Sequence, residues 1–208
     1  MTASTDIPTT ETDLFGGAIT AHFPSNFEDA SQFREVPNTQ EVYVSRTYDT
    51  DISIIVDICE RVSPASDPSS DSAAVAVHWD DITLSDDRCS NKVFTTTSIS
   101  LPNLPGVKAY SIVGTVSSPQ NSTQPPLFTA ILVTVVRLEQ QKTDIVITVN
   151  VPFLNVEHVR AEGSVAAPGW EGELNGVPGE LLSAGLAVRD KVLASFKIKD
   201  WDLFVPEE

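Results

Sequence analysis

Three long runs in the second half of the chain, Val107 to Ser117, Leu127 to Leu138 and Asp144 to Val151, constrain the fold more than any other feature. They are rich in valine, isoleucine and threonine, whose branched Cβ suits a pleated strand and crowds a helical turn. The connections "SPQNSTQPP" and "EQQKT" are shorter than the roughly dozen residues a parallel crossover requires, so the three strands are predicted to form an antiparallel meander. Leu127 to Leu138 is apolar at both alternating sets of positions, Phe128, Ala130, Leu132 and Val136 against Leu127, Ile131, Val133 and Val135. That pattern predicts a central strand covered on both faces. In Asp144 to Val151, Ile145, Ile147 and Val149 alternate with Val146, Thr148 and Asn150, which predicts a face that is partly wet.

The remaining elements are arranged around this sheet. Ala18 to Phe23 reads as a short strand, and in "PSNFEDASQF" Ser25 or Asn26 could cap a short helix with acidic residues in its first turn, closed by Pro37. Glu41 to Arg46 and Ile52 to Cys59 read as a hairpin around "TYDTD". "AAVAVHWDDI" is predicted helical from Ser70 to about Leu84, and residues 155–178, with several glycines and prolines, read as an irregular loop. From Pro178 onward Leu181, Leu182, Gly185, Leu186, Val188, Val192, Leu193 and Phe196 recur at spacings of three and four. This is an amphipathic helix whose stripe should lie on the sheet, with Gly185 permitting close approach. Trp201 and Phe204 in "KDWDLF" are expected to pack back onto the domain. Residues 1–13, rich in Thr, Asp and Pro, offer little to bury and read as a disordered lead-in to a single domain spanning 14–208. The predicted class is α+β: a mostly antiparallel sheet of about six strands flanked by helices.

The charge balance narrows the function. A formal net charge of -16 repels phosphate backbones and anionic lipid, so nucleic acid and membrane surfaces are poor partners, and a protein with basic patches is a better one. "MTASTDIPTTETD" has neither the basic nor the apolar region of a secretory signal, and no apolar run approaches a membrane span. A soluble, non-secreted monomer is expected. Cys59 and Cys89 form neither a disulfide framework nor a tandem ligand pair, and the sequon "NST" at Asn121 then reads as a polar loop.

No motif for bond chemistry stands out. "GGAITA" lacks the spacing of a phosphate-cradling loop, no G-x-S-x-G elbow occurs, and His22, His78 and His158 have no nearby nucleophile or acid in triad arrangement. In "HWDD", His78 to Asp81, the carboxylates read as the solvated end of a helix rather than metal ligands. No catalytic residue, metal or cofactor is predicted. "SIIVDICERV", Ser53 to Val62, is more unusual, because Asp57 interrupts an apolar strand and must be exposed, paired or functional. In a regular strand Asp57 and Glu60, an odd step apart, point to opposite faces.

Six blocks in order, "LFGGAI" (Leu14 to Ile19), "FEDAS" (Phe27 to Ser31), "REVPNTQEVYV" (Arg34 to Val44), "SIIVDICERV", "HWDDI" and "KTDIVITVNVP" (Lys142 to Pro152), resemble the Ran-interacting Mog family of guanine nucleotide release factors. The likeness departs in the lead-in, in the glycine-rich loop before the last helix, and at Asn38, where the family pattern has Asp. The resemblance implies a fold similar to the PsbP-like proteins, binding to the small GTPase Ran, promotion of nucleotide release, a part in nuclear import, and a location in the nucleus with some cytoplasmic presence. It implies that Asp57 and Glu60 face Ran, with Glu35, Asn38, Gln40 and Glu41 along the rim of the same surface. For Asp57 and Glu60 to share one surface, the strand is expected to end or bulge between Ile58 and Glu60, with Cys59 tucked inward. The competing expectation is a small-molecule-binding or structural α+β domain that shares only the fold.

Overall fold

The computed structural model describes residues 7–46, 51–64, 67, 70–83, 90–117, 126, 128–154 and 180–204. Its centre is the predicted meander: β7 (Lys108–Ser117), β8 (Phe128–Leu138) and β9 (Thr143–Phe153), antiparallel and in unbroken register. They belong to a seven-stranded sheet that also contains β3 (Phe27–Asp29), β4 (Gln40–Ser45), β5 (Ser53–Glu60) and β6 (Ser90–Ile99), in the order β3-β4-β5-β9-β8-β7-β6. A second sheet of three strands joins β1 (Thr9–Leu14), β2 (Ile19–Pro24) and β10 (Lys197–Ile198), with β2 in the middle.

The two faces of the large sheet are covered by different layers. Helix α1 (Asp71–Thr83) closes one face, where Val75 and Trp79 pack on Ile112, Ile131, Val133, Val135 and Val146. Helix α2 (Glu180–Ser195) and the small sheet close the other, where Leu182, Val188 and Val192 meet Leu132, Ile147, Val149 and Val151 beside Leu14, Ile19 and Phe23. Gly185 does lie against the sheet: a Cβ there would come within 2.3 Å of Val151 Cγ2. β8 is buried at every position but Thr129, as its two apolar faces require.

Several sequence-based expectations are corrected by the structure. Residues 9–13 of the expected disordered lead-in form most of β1, pairing with β2 from Thr9↔Pro24 to Leu14↔Ile19. Their stability comes from backbone ladder bonds and buried Leu14 rather than from apolar alternation. In place of a helix capped by Ser25 or Asn26, Phe27–Asp29 is a strand followed by a single 3-10 turn, Ala30–Gln32, whose cap is Asp29 accepting from the Ser31 N–H at 2.8 Å. β6, rich in Thr and Ser, was not foreseen, and with the short additional strands the described residues hold more strands than the expected six. The partly wet face expected of β9 is limited to Asn150 and Pro152, because Val146 and Thr148 are buried on the α1 side. Phe204 is buried as expected, but Trp201 is 41% exposed. The expected irregular loop at 155–178 and Cys89 lie outside the described residues.

Candidate functional site

Asp57 lies on β5 directly opposite Gln40 of β4 and accepts a hydrogen bond from its side chain. Burial raises the Asp57 carboxyl above its usual range, with the Gln40 hydrogen bond and the nearby His78 opposing that rise. Two residues on, Cys59 packs against the α1 cluster, and burial followed by the charges of Asp57, Asp144 and Asp81 pushes its thiol up to about 11. A thiol in that state is protonated and unreactive at neutral pH.

The expected bulge is absent. β5 pairs with β9 position by position from Ser53↔Asn150 to Glu60↔Thr143. The Arg61 N–H continues the pairing to the Lys142 carbonyl at 2.8 Å. With a partner for each backbone group, no residue is ejected from the ladder, and alternation holds. Asp57 is therefore on the α1 face and Glu60 on the α2 face, with Glu60 exposed.

What the two acids share is an end of the sheet. Antiparallel register brings the end of β5, the β8–β9 turn, the start of β7 and the start of β4 to the same side of the molecule. The segment 33–39 leads into β4 there, with Glu35 and Asn38 exposed and the Phe33 ring 67% exposed. The Gln40 N–H donates to the Pro37 carbonyl, and the Ile58 N–H to the Thr39 carbonyl, both at 2.9 Å, so this segment is tied to the end of β5. Glu41 behaves differently from its neighbours: its Oε1 accepts the Phe15 N–H at 2.6 Å, which commits the carboxylate to holding the turn Phe15–Gly17 between β1 and β2. On the other face, Glu60, Lys142, Trp201, Asp202 and Phe204 line a groove of about 1040 Å³.

Behind this end lies a buried polar cluster that composition gave no sign of. Asp144, whose side chain is 0% exposed, accepts from Arg137 Nε at 3.2 Å, from the Val62 N–H at 3.0 Å and from His78 Nε2 at 2.9 Å. An ionised carboxylate only accepts, so the proton of that last bond is on the histidine. Arg137 also donates to Asp71 Oδ1 at 2.8 Å and to the Val62 carbonyl at 2.6 Å, and Asp71 receives Lys108 Nζ and the Tyr110 hydroxyl at 2.9 and 3.0 Å. Burial pushes both carboxyls up, but at Asp144 the His78 and Val62 hydrogen bonds and the Arg137 charge outweigh it. At Asp71 the Lys108 and Tyr110 hydrogen bonds and the Arg137 charge do the same. Both acids end below the ordinary carboxylate range. The cluster latches α1 to β7, β8 and β9 and fixes the chain where it leaves β5. His78 is thus a buried structural residue, while Asp80 and Asp81 of the same motif are solvated as expected. Among the described residues, no group of three or more His, Cys, Asp or Glu could hold a metal ion, and no helix is long and apolar enough to cross a membrane.

The comparisons with known proteins agree with this architecture. The fold overlays the Ran-binding protein Mog1p of Saccharomyces cerevisiae with a TM-score of 0.71 and 26% identity, covering 96% of this chain and 100% of that one. Cyanobacterial PsbP from Synechocystis, 10% identical with a TM-score of 0.52 over 95% of this chain and 96% of its own, shares the fold alone. In sequence, the nuclear import protein MOG1 of Saccharomyces cerevisiae is 34% identical over 160 residues, 73% of this chain and 70% of that protein. The Ran guanine nucleotide release factor of Bos taurus is 24% identical over 204 residues, 96% of this chain and 99% of its own length. The family of the Ran-interacting Mog1 protein matches residues 12–152, more than half the chain, and this protein belongs to that family.

Proposed function

We propose that this protein binds the small GTPase Ran and promotes release of its guanine nucleotide in support of nuclear protein import, working as a monomer in the nucleus with a share in the cytoplasm. It acts as a regulator, without chemistry of its own. The observation that carries the reading is the convergence of Asp57, Glu60 and the 35–40 segment on one end of the sheet in a member of a Ran-interacting family. Successive strand residues advance about 3.3 Å, so Asp57 and Glu60 are separated by roughly 10 Å along β5. A partner that wraps the end of the sheet meets Gln40 and Asp57 on one face and Glu60 on the other, with Glu35 and Asn38 at the rim. Glu41 supports this surface from within. The net charge of -16 favours a basic counterpart.

Release requires differential affinity. A factor that bound nucleotide-loaded and nucleotide-free Ran equally well would shift nothing, so this surface must prefer the emptied or loosened state. The test is retention of Ran on immobilised protein together with the rate of loss of a fluorescent guanine nucleotide from Ran. Wild-type protein should accelerate the loss, and Asp57→Ala and Glu60→Ala should each weaken binding with little change in melting temperature. An unchanged release rate at saturating protein would overturn the function, and normal Ran binding by the double variant would overturn the site.

A further inference from the structure

We propose that Trp201 is the aromatic anchor of the Ran interface, receiving a lysine or arginine side chain of Ran over its indole between Glu60 and Asp202. This rests on the Ran reading above and adds a residue, a groove and a contact chemistry to it. Trp201 is one of three large hydrophobic residues exposed among the described residues, with Phe33 and Val93. It lies at the sheet end shared by Glu60, whereas Val93 sits on the distant edge strand β6.

The indole is exposed yet held in place. Its ring lies 6.0 Å from that of Phe204, tilted by 58°, and the Trp201 carbonyl accepts the Phe204 N–H at 3.2 Å. Phe204 itself is buried in the main core. Upstream, the Lys199 and Asp200 N–H groups both donate to the Ala18 carbonyl, at 2.8 and 3.0 Å, and the Asp202 N–H closes a turn on Asp200 Oδ1 at 2.9 Å. A preordered aromatic side chain loses little conformational entropy on binding, which is why tryptophan dominates many interfaces.

The surroundings select the occupant. Glu60 and Asp202 are exposed and make no ion pair among the described residues. Of the two cations on the groove, Arg61 turns toward Asp71, 3.8 Å away, and only Lys142 stands open to solvent. An electron-rich ring that shares its groove with two carboxylates attracts a cation through both its quadrupole and its neighbours' charge. Trp201 also lines a second groove, with Arg61, Lys108, Arg137 and Glu139, whose three cations are engaged by Asp71 and Asp144, so the indole stands between two concave surfaces. A flat anionic or purely apolar ligand gains nothing from the two carboxylates.

The experiment is calorimetric titration of Ran into full-length protein carrying Trp201→Ala, Trp201→Phe, Glu60→Gln or the Trp201→Ala/Glu60→Gln pair, with a thermal melt of each. Trp201→Ala should weaken binding by about 30-fold, Trp201→Phe by much less, and neither should move the melting temperature by more than about 2 °C. The pair should lose less than the product of the single losses, because both groups hold one cation. Wild-type affinity in Trp201→Ala, or losses in the pair that multiply independently, would overturn the proposal while leaving the Ran reading intact. A drop in melting temperature that accounts for the lost binding would assign Trp201 to the fold instead. Failure of wild-type protein to bind Ran would overturn the Ran reading and this proposal with it.

Discussion

Replacing Asp144 with asparagine isolates what the buried polar cluster does for the end of β5. The substitution keeps the shape of the side chain and its capacity to accept from the Val62 N–H, but removes the charge that faces Arg137 and His78. Removing one partner of a buried ion pair costs about 3–5 kcal/mol. Arg137 still has Asp71 and the Val62 carbonyl, so the lower end, about 3 kcal/mol, is expected. For a domain of this size that corresponds to a fall in melting temperature of roughly 6–12 °C. The pH dependence carries a second signature. Asp144 and Asp71 both sit below the ordinary carboxylate range when folded. The stability they contribute is complete above the unfolded pKa of about 3.9 and is lost as pH falls through the lower folded values. Melts recorded from pH 7 to pH 2 by circular dichroism should show a steep acid loss below about pH 4 in the wild type and a shallower one in Asp144→Asn, where Asp71 is the remaining carboxylate of the cluster. Hydrogen exchange at the Val62 amide, which donates to Asp144, should quicken in the variant before the β8 amides do. A melting temperature within about 2 °C of wild type, with an unchanged acid limb, would refute the view that this cluster is a net contributor to stability.

Other substitutions test the packing and the division of labour at the site. Gly185→Ala should destabilise by about 1–3 kcal/mol in urea unfolding, despite the higher helix propensity of alanine, because the new methyl meets Val151 at 2.3 Å. Gly114→Ala should cost more, since its Cβ would meet the Lys92 carbonyl at 2.5 Å as well as the Trp79 ring at 2.3 Å and backbone cannot swing aside. Glu41→Ala should lower stability by about 1–3 kcal/mol by leaving the Phe15 N–H without its acceptor; unchanged stability with lost Ran binding would return Glu41 to the interface. Leu193→Ala should cost about 2–5 kcal/mol, and half-buried Leu186→Ala clearly less, in the same denaturation assay.

Which parts of the fold were legible follows from how each element is stabilised. β8 and α2 announce themselves because burial on a fixed period leaves its imprint in apolar side chains, and the β4–β5 hairpin does so through β-branched residues flanking a polar turn. β1 and β6 are strands at sheet edges, where the backbone ladder supplies the order and threonine or serine suffices, so neither carries an apolar signature. Asp144 looks like the polar start of a strand in "KTDIV", and nothing local reveals that its partners are His78, 66 residues away, and Val62, 82 residues away. The opposition of Asp57 and Glu60 was legible from the period of two alone. Their common position near one end of the sheet, on opposite faces, was not, because it depends on the register of β4, β5, β8 and β9 together, and the groove beside Glu60 depends on a turn some 140 residues downstream.

That dependence gives the first of the family-matching blocks its role. In "LFGGAI" the chain turns through Phe15, Gly16 and Gly17 with φ of 51°, 67° and 91°, a left-handed path that two glycines make accessible and one aromatic residue must be held in. What holds it is Glu41 of β4, bonded to the Phe15 N–H. The next residue, Ala18, offers its carbonyl to Lys199 and Asp200 and so seats the turn that carries Trp201. A single short stretch therefore joins β4, whose next-door Gln40 supports Asp57, to the C-terminal turn that walls the Glu60 groove. Around Gly16 a Cβ would meet nothing within 4 Å, so a substitution there is opposed by backbone conformation and not by crowding. Such a change would loosen both sides of the sheet end at once, which places the glycine pair upstream of the whole candidate surface although neither residue lines the Glu60 groove.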